Sequence, residues 1–171
     1  MHVRSLSRQV LLASAGLTLA VAALLAGAPS HAQTAPQPDY HPSLADLMTL
    51  GVQPRHIKLA AGGRARNWAY AAYEADELRN ALNRVARTVP TYRNTDMAMM
   101  LAANMKEPLD QTDAAIKAKD GARFDKAYAA VTHACNTCHE GLGHPFVVIR
   151  QPLGAGPFAD QSFTARGNAG K

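Results

Sequence analysis

The sequence predicts an all-α chain, an antiparallel up-down-up-down four-helix bundle. Apolar residues recur at steps of three and four along four separate stretches between residues 43 and 141. Short segments marked by Gly, Pro and Asn join those stretches, which makes antiparallel neighbours the economical arrangement. Only Phe146-Val147-Val148-Ile149 resembles a strand, and no internal repeat is present.

The chain begins with an expected export signal, residues 1–32. His2, Arg4 and Arg8 form a basic start, Val10 to Ala26 an apolar run, and Ser30 and Ala32 supply small residues for cleavage after Ala32. The competing reading is a transmembrane anchor. The run is only about 17 residues and rich in Ala and Gly, at the short limit for crossing a bilayer. No cysteine follows it to carry a lipid. Residues 33–42 hold three prolines and read as a flexible lead-in. The mature chain, 33–171, is one domain's worth, with the helical domain expected over 43–150 and a disordered tail, rich in Gly, Pro, Ala and Ser, over 151–171. Removing Arg4 and Arg8 lowers the formal charge from +5 to +3. No basic cluster with interleaved aromatics points to nucleic acid, and cleavage would leave no membrane segment.

Each helix has local signals. Ser43 and Asp46 cap the first, with Leu44, Leu47 and Met48 on one face. Gly51 and Pro54 interrupt it, so a kink or break is expected near Pro54, and Gly62-Gly63 should end it. The second is expected from Arg64 to Thr88. Its apolar stripe is Trp68, Ala72, Ala75, Leu78, Leu82 and Val85; Glu74 and Arg79 fall off the stripe, and Arg84 and Arg87 in the last turn suit the helix dipole. Tyr92-Arg93-Asn94 reads as a loop. Thr95 or Asp96 caps the third helix, whose line is Met97, Leu101, Met105, Leu109, Thr112 and Ile116, bent at Pro108. The fourth follows Asp120-Gly121 and carries Phe124, Tyr128, Val131, Cys135 and Cys138 at spacings of 4, 3, 4 and 3. Gly141 and Gly143 end it.

Cys135-Asn136-Thr137-Cys138-His139 is the attachment pattern of a c-type haem. Each thiol would form a thioether with one porphyrin vinyl group, and His139 would supply the proximal axial ligand. A disulfide, half a zinc site and a redox dithiol share the Cys-x-x-Cys spacing. Zinc would need two further ligands, and these are the only two cysteines; a thioredoxin-like dithiol wants a βαβ context that is absent. Both thiols continue the apolar stripe of their own helix, which favours a cofactor held in the interior over a surface dithiol. Two propionates would bring the charge of the mature chain nearer to +1.

A single Cys-x-x-Cys-His on the last of four helices resembles the class II c-type cytochromes, the cytochrome c-prime and cytochrome c-556 group. The resemblance covers about residues 43 to 145 in topology and is specific at Cys135, Cys138 and His139. It implies one covalent haem c at one end of the bundle, a periplasmic location, redox partner proteins and often a homodimer. Glu140-Gly141-Leu142-Gly143 stands where members of that group often carry an aromatic and a basic residue, so this chain is a divergent relative.

The resemblance also implies a sixth iron site that is either vacant or filled by a methionine of the first helix. In up-down-up-down order the end of helix four lies beside the start of helix one, the end of helix two and the start of helix three. Met48 is therefore the first candidate for sixth ligand or distal cover. His56, about 12 Å further along the axis, is the second. Met97 and Met100 are candidates for the pocket wall. Each also reads as ordinary core: methionine on an apolar stripe fills gaps, and His56 as a satisfied structural histidine. His144 at the haem edge, and Arg84 and Arg87 on the propionates, are further candidates, while His133 falls on a different face and Trp68 at the far end. Two functions follow: electron transfer, favoured by His-Met ligation, or NO/CO binding at a five-coordinate haem. No triad, paired carboxylates or phosphate loop points to an enzyme.

Overall fold

The computed structural model describes residues 39–165. The expected export signal, most of the lead-in and residues 166–171 lie outside the described residues. Among the described residues the chain is all-α but for one hairpin of two-residue strands. Four long helices pack consecutively on one another, and the first also touches the fourth.

Helix α1 has three continuous parts, Leu44–Asp46, the π-helical Leu47–Val52 and Gln53–Arg64. A capping box starts it. Asp46 N–H donates to Ser43 Oγ at 3.1 Å, and Ser43 N–H donates to the Asp46 carboxylate at 3.0 Å. The Ser43 hydroxyl, donating to the Asp46 carboxylate at 2.7 Å, and then the Ser43 N–H hold that carboxyl below its usual range. Pro54 does not break the helix. It has no N–H and crowds the carbonyl four residues back. The disturbance is taken up as the preceding π turn, in which Gln53 N–H reaches the carbonyl of Met48, five residues back. Gly62 and Gly63 do not end the helix either. A Cβ on Gly62 would meet the Tyr70 ring at 2.7 Å, and one on Gly63 the Phe124 ring at 2.1 Å. Both glycines lie buried in the last turn, where those rings approach the backbone closely, and the helix ends at Arg64 with the left-handed turn at Arg66, φ of 55°.

Helix α2 is Trp68–Thr88. It starts four residues later than expected because Asn67 caps it, its side chain accepting from Tyr70 N–H. Ala75, Leu78, Leu82 and Val85 are buried as the stripe predicts, but Ala72 is exposed and Glu74 is 1 % exposed. Glu74 is tolerated inside because Arg55 of α1 pairs with it at 3.2 Å and the Tyr70 hydroxyl donates at 2.6 Å. Burial and then this carboxylate push the Tyr70 phenol up to about 12.

The expected Tyr92–Asn94 loop is a hairpin. Strand β1, Thr91–Tyr92, pairs antiparallel with β2, Thr95–Asp96. Arg93 and Asn94 both take left-handed backbones, at φ of 47° and 63°, as a two-residue primed turn requires. Helix α3, Met97–Ala118, is capped by Asp96 and runs through Pro108, with Met97, Leu101, Met105, Leu109, Thr112 and Ile116 buried. Helix α4, Gly121–Gly141, is capped by Asp120 and buries Phe124, Tyr128, Val131 and Cys138. Trp68 meets Phe124 edge-on, with centroids 6.1 Å apart.

Residues 151–165 differ from the expected disorder. Arg64 donates to the Pro152 carbonyl, Asn67 to that of Phe163 at 3.1 Å, and Lys58 lies 4.6 Å over the Phe158 ring. Composition hides this because the partners, Lys58, Arg64 and Asn67, lie 88 or more residues earlier in the chain. No helix among the described residues is long and apolar enough to cross a membrane.

The glycines test the packing. Gly63→Ala should destabilise by about 1–3 kcal/mol through overpacking against the buried Phe124 ring. Gly51→Ala, with nothing within 4 Å of the new methyl, should be neutral or stabilising by up to about 1 kcal/mol. Thermal unfolding followed by circular dichroism reads both; equal melting temperatures for the two variants would contradict this packing.

Candidate functional site

One mostly apolar cleft, open to solvent, brings together seven of the residues singled out for a site: Met48, His56, Met97, Met100, Cys135, Cys138 and His139. No Asp, Glu, Lys or Arg lines it. The helical period puts the two thiols there. Cys138 is buried and Cys135 half-buried, one turn apart on the face that continues from Phe124 through Val131. Both are free thiols. Burial, and then the neighbouring Cys138, pushes the Cys135 thiol up to about 12, and burial raises Cys138. These are neutral, edge-of-core sulfurs rather than activated thiolates. Among the described residues no three His, Cys, Asp or Glu side chains converge to hold a bare metal ion, so the geometry gives the zinc reading no support.

His139 lies at the last turn of α4. Its Nδ1 is 2.8 Å from the carbonyl of Val147. A carbonyl only accepts, so Nδ1 carries the proton and Nε2 carries the lone pair. The imidazole thus has one nitrogen committed to a backbone partner and the other available as a ligand.

Opposite stands the π-helical stretch of α1, which contributes Met48, Thr49 and Val52, followed by Gln53. Met48 is half-buried. Met97 is fully buried, and Met100 packs its methyl over Gly141, where a Cβ would stand 2.7 Å away. Asn104 donates to the Met100 carbonyl at 2.9 Å and approaches its sulfur at 3.5 Å. The thioether of Met100 is therefore already partnered, whereas among the described residues no hydrogen bond reaches the sulfur of Met48 or Met97.

His56 lines the cleft but does not offer it a ligand. Its Nδ1 is 2.9 Å from the Tyr128 hydroxyl, and its Nε2 is 2.9 Å from Thr132 Oγ1. The Tyr128 hydroxyl donates to the His56 carbonyl at 2.8 Å and the Thr132 hydroxyl to the Tyr128 carbonyl at 3.1 Å, so each ring nitrogen sits against a hydroxyl that is itself tied to backbone. This corrects the expectation of His56 as a second sixth ligand: both ring nitrogens are used inside the core. His144 is likewise engaged, with Nε2 2.9 Å from the Tyr92 hydroxyl, and neither it nor Arg84, Arg87 or Trp68 lines the cleft.

No family model, curated protein or solved structure matches the chain.

The wall also includes residues not singled out beforehand. Leu82, Leu101 and Met105 belong to the predicted stripes of α2 and α3, so period gave a signal for them. Val147 and Ile149 come from the short apolar run after α4, and Leu142 from the helix end. Thr49 and Gln53 face the cleft because the π turn shifts the face of α1, which a regular helical period cannot anticipate.

Burial, and then the charge of Arg64, lowers the His56 pKa from 6.5 to about 4. The folded state therefore binds fewer protons than the unfolded state between those values. The stabilisation is fully present above pH 6.5 and is lost as pH falls toward 4. Wild type should lose on the order of 3 kcal/mol more stability than His56→Gln between pH 7 and pH 4. Urea unfolding at the two pH values measures this, and identical pH dependence in both proteins would contradict it.

Proposed function

We propose that this chain is an exported, periplasmic monohaem c-type cytochrome of the class II kind, passing electrons between redox partner proteins. In this reading the four helices form an antiparallel up-down-up-down bundle with the haem at one end. One observation carries it: the two thiols, an imidazole with a free Nε2 and Met48 all face one uncharged cleft. The donor set suits haem c better than any bare metal. Bound there, haem would supply a one-electron iron couple.

Each of the chain's own groups has a role. Cys135 and Cys138 would anchor the porphyrin through two thioethers. His139 would present Nε2 to the iron while the Val147 carbonyl holds Nδ1–H. Met48, on the π turn, would be the sixth ligand. Met97, Leu101 and Met105 exclude water, and an apolar, low-dielectric wall disfavours the more charged ferric form and raises the potential. Six-coordination changes little on reduction, which suits electron transfer.

The ferrous absorption spectrum tests the reading. It should be low-spin and unchanged by CO. Met48→Ala should turn it high-spin and CO-reactive at unchanged haem content. A high-spin wild-type spectrum that converts with CO would overturn Met48 ligation in favour of the five-coordinate gas-binding reading. Cys135→Ala with Cys138→Ala should abolish covalent haem.

A further inference from the structure

The segment after α4 carries the carbonyl on which His139 depends, yet burial does not hold it. Phe146 is 78 % exposed, Val148 63 % and Val147 itself 40 %. The segment is tied at its far end instead. Asn136 Nδ2 donates to the Ile149 carbonyl at 2.9 Å, and Asn136 Oδ1 accepts from Ile149 N–H at 2.7 Å. The carboxamide thus makes both bonds that a neighbouring strand would make to that residue. At the near end His144 N–H donates to the His139 carbonyl at 2.7 Å, and Val147 N–H to that of His144 at 2.9 Å. Between these ties the Val147 carbonyl meets His139 Nδ1 at 2.8 Å. Asn136, His139 and Cys135 share one helix, so the clamp and the ligand are held in one rigid frame.

We propose that Asn136, the first variable residue of Cys-x-x-Cys-His, is a positioning residue that holds the Val147 carbonyl on His139 Nδ1 and closes the wall formed by Val147 and Ile149. The role of the clamp toward iron rests on the haem reading above; its role toward the His139 tautomer does not. A held carbonyl keeps the proton on Nδ1, fixes the ring plane and makes Nε2 more basic, which stabilises ferric iron. Releasing it frees the ring to rotate, exposes Nδ1–H to solvent and weakens that donation.

The test uses the full-length protein as purified, with Asn136→Leu, which keeps the bulk and loses both bonds, and Asn136→Asp, which keeps the acceptor for Ile149 N–H and loses the donor. In Asn136→Leu, hydrogen exchange at the Ile149 amide should quicken by about tenfold with α4 amides unchanged. Exchange of the His139 Nδ1–H should quicken as well, and the haem midpoint potential should rise at unchanged haem content. Asn136→Asp should fall between wild type and Asn136→Leu. Unchanged exchange at Ile149 N–H and His139 Nδ1–H together with an unchanged potential in both variants would overturn the proposal. Should the wild-type protein carry no haem, the cytochrome reading fails, while exchange at those two protons still decides whether Asn136 positions His139.

Discussion

The inner face of α4 is the constraint on which the rest of the structure depends. A helix of 3.6 residues per turn puts Phe124, Tyr128, Val131, Cys135 and Cys138 on one side, and the other helices must cover that side. At the level of Phe124 they do so closely. Trp68 meets the ring edge-on and Gly63 is bare to admit it. At the level of Cys135 and Cys138 they stand apart, and the cleft opens. One continuous stripe thus serves as packed core over its first half and as the floor of a site over its second.

The polar groups inside this core follow the same division. Glu74 ties α1 to α2 through Arg55, and His56 ties α1 to α4 through Tyr128 and Thr132. Among the described residues, no buried side-chain nitrogen or oxygen lacks a partner, as a well-determined interior requires. Both ties attach the regular part of α1. The part that precedes them, Leu47–Val52, is the π turn that faces the thiols. Regular helix is anchored and irregular helix is given to the site. On the other wall, one carboxamide holds an exposed segment in place of hydrophobic burial.

Much of this was legible in the sequence, for reasons that can be named. Period alone identified the buried faces of α3 and α4, and Ser43 and Asp96 are cap residues of the expected chemistry. Seven of the residues chosen for a site meet in one cleft because those choices combined period with position along the helix. The misreadings share a cause: partners distant in sequence. Gly62 and Gly63 look like a helix stop until the rings of Tyr70 and Phe124 are seen against them. Glu74 looks like a surface residue until Arg55 arrives from the preceding helix. His56 looks like a ligand candidate until Tyr128 and Thr132 take both its nitrogens. Asn136 looks like spacer between two cysteines, and its partner, Ile149, lies beyond the helix end.

The central claim is that the cleft between Met48 and the two thiols holds a covalently attached haem. Intact-mass spectrometry of the exported, purified protein, after denaturation and treatment with an alkylating agent, tests it most directly. The account predicts the mass of the processed chain plus one haem, with neither Cys135 nor Cys138 alkylated. A chain carrying no haem mass and two alkylated cysteines would contradict it.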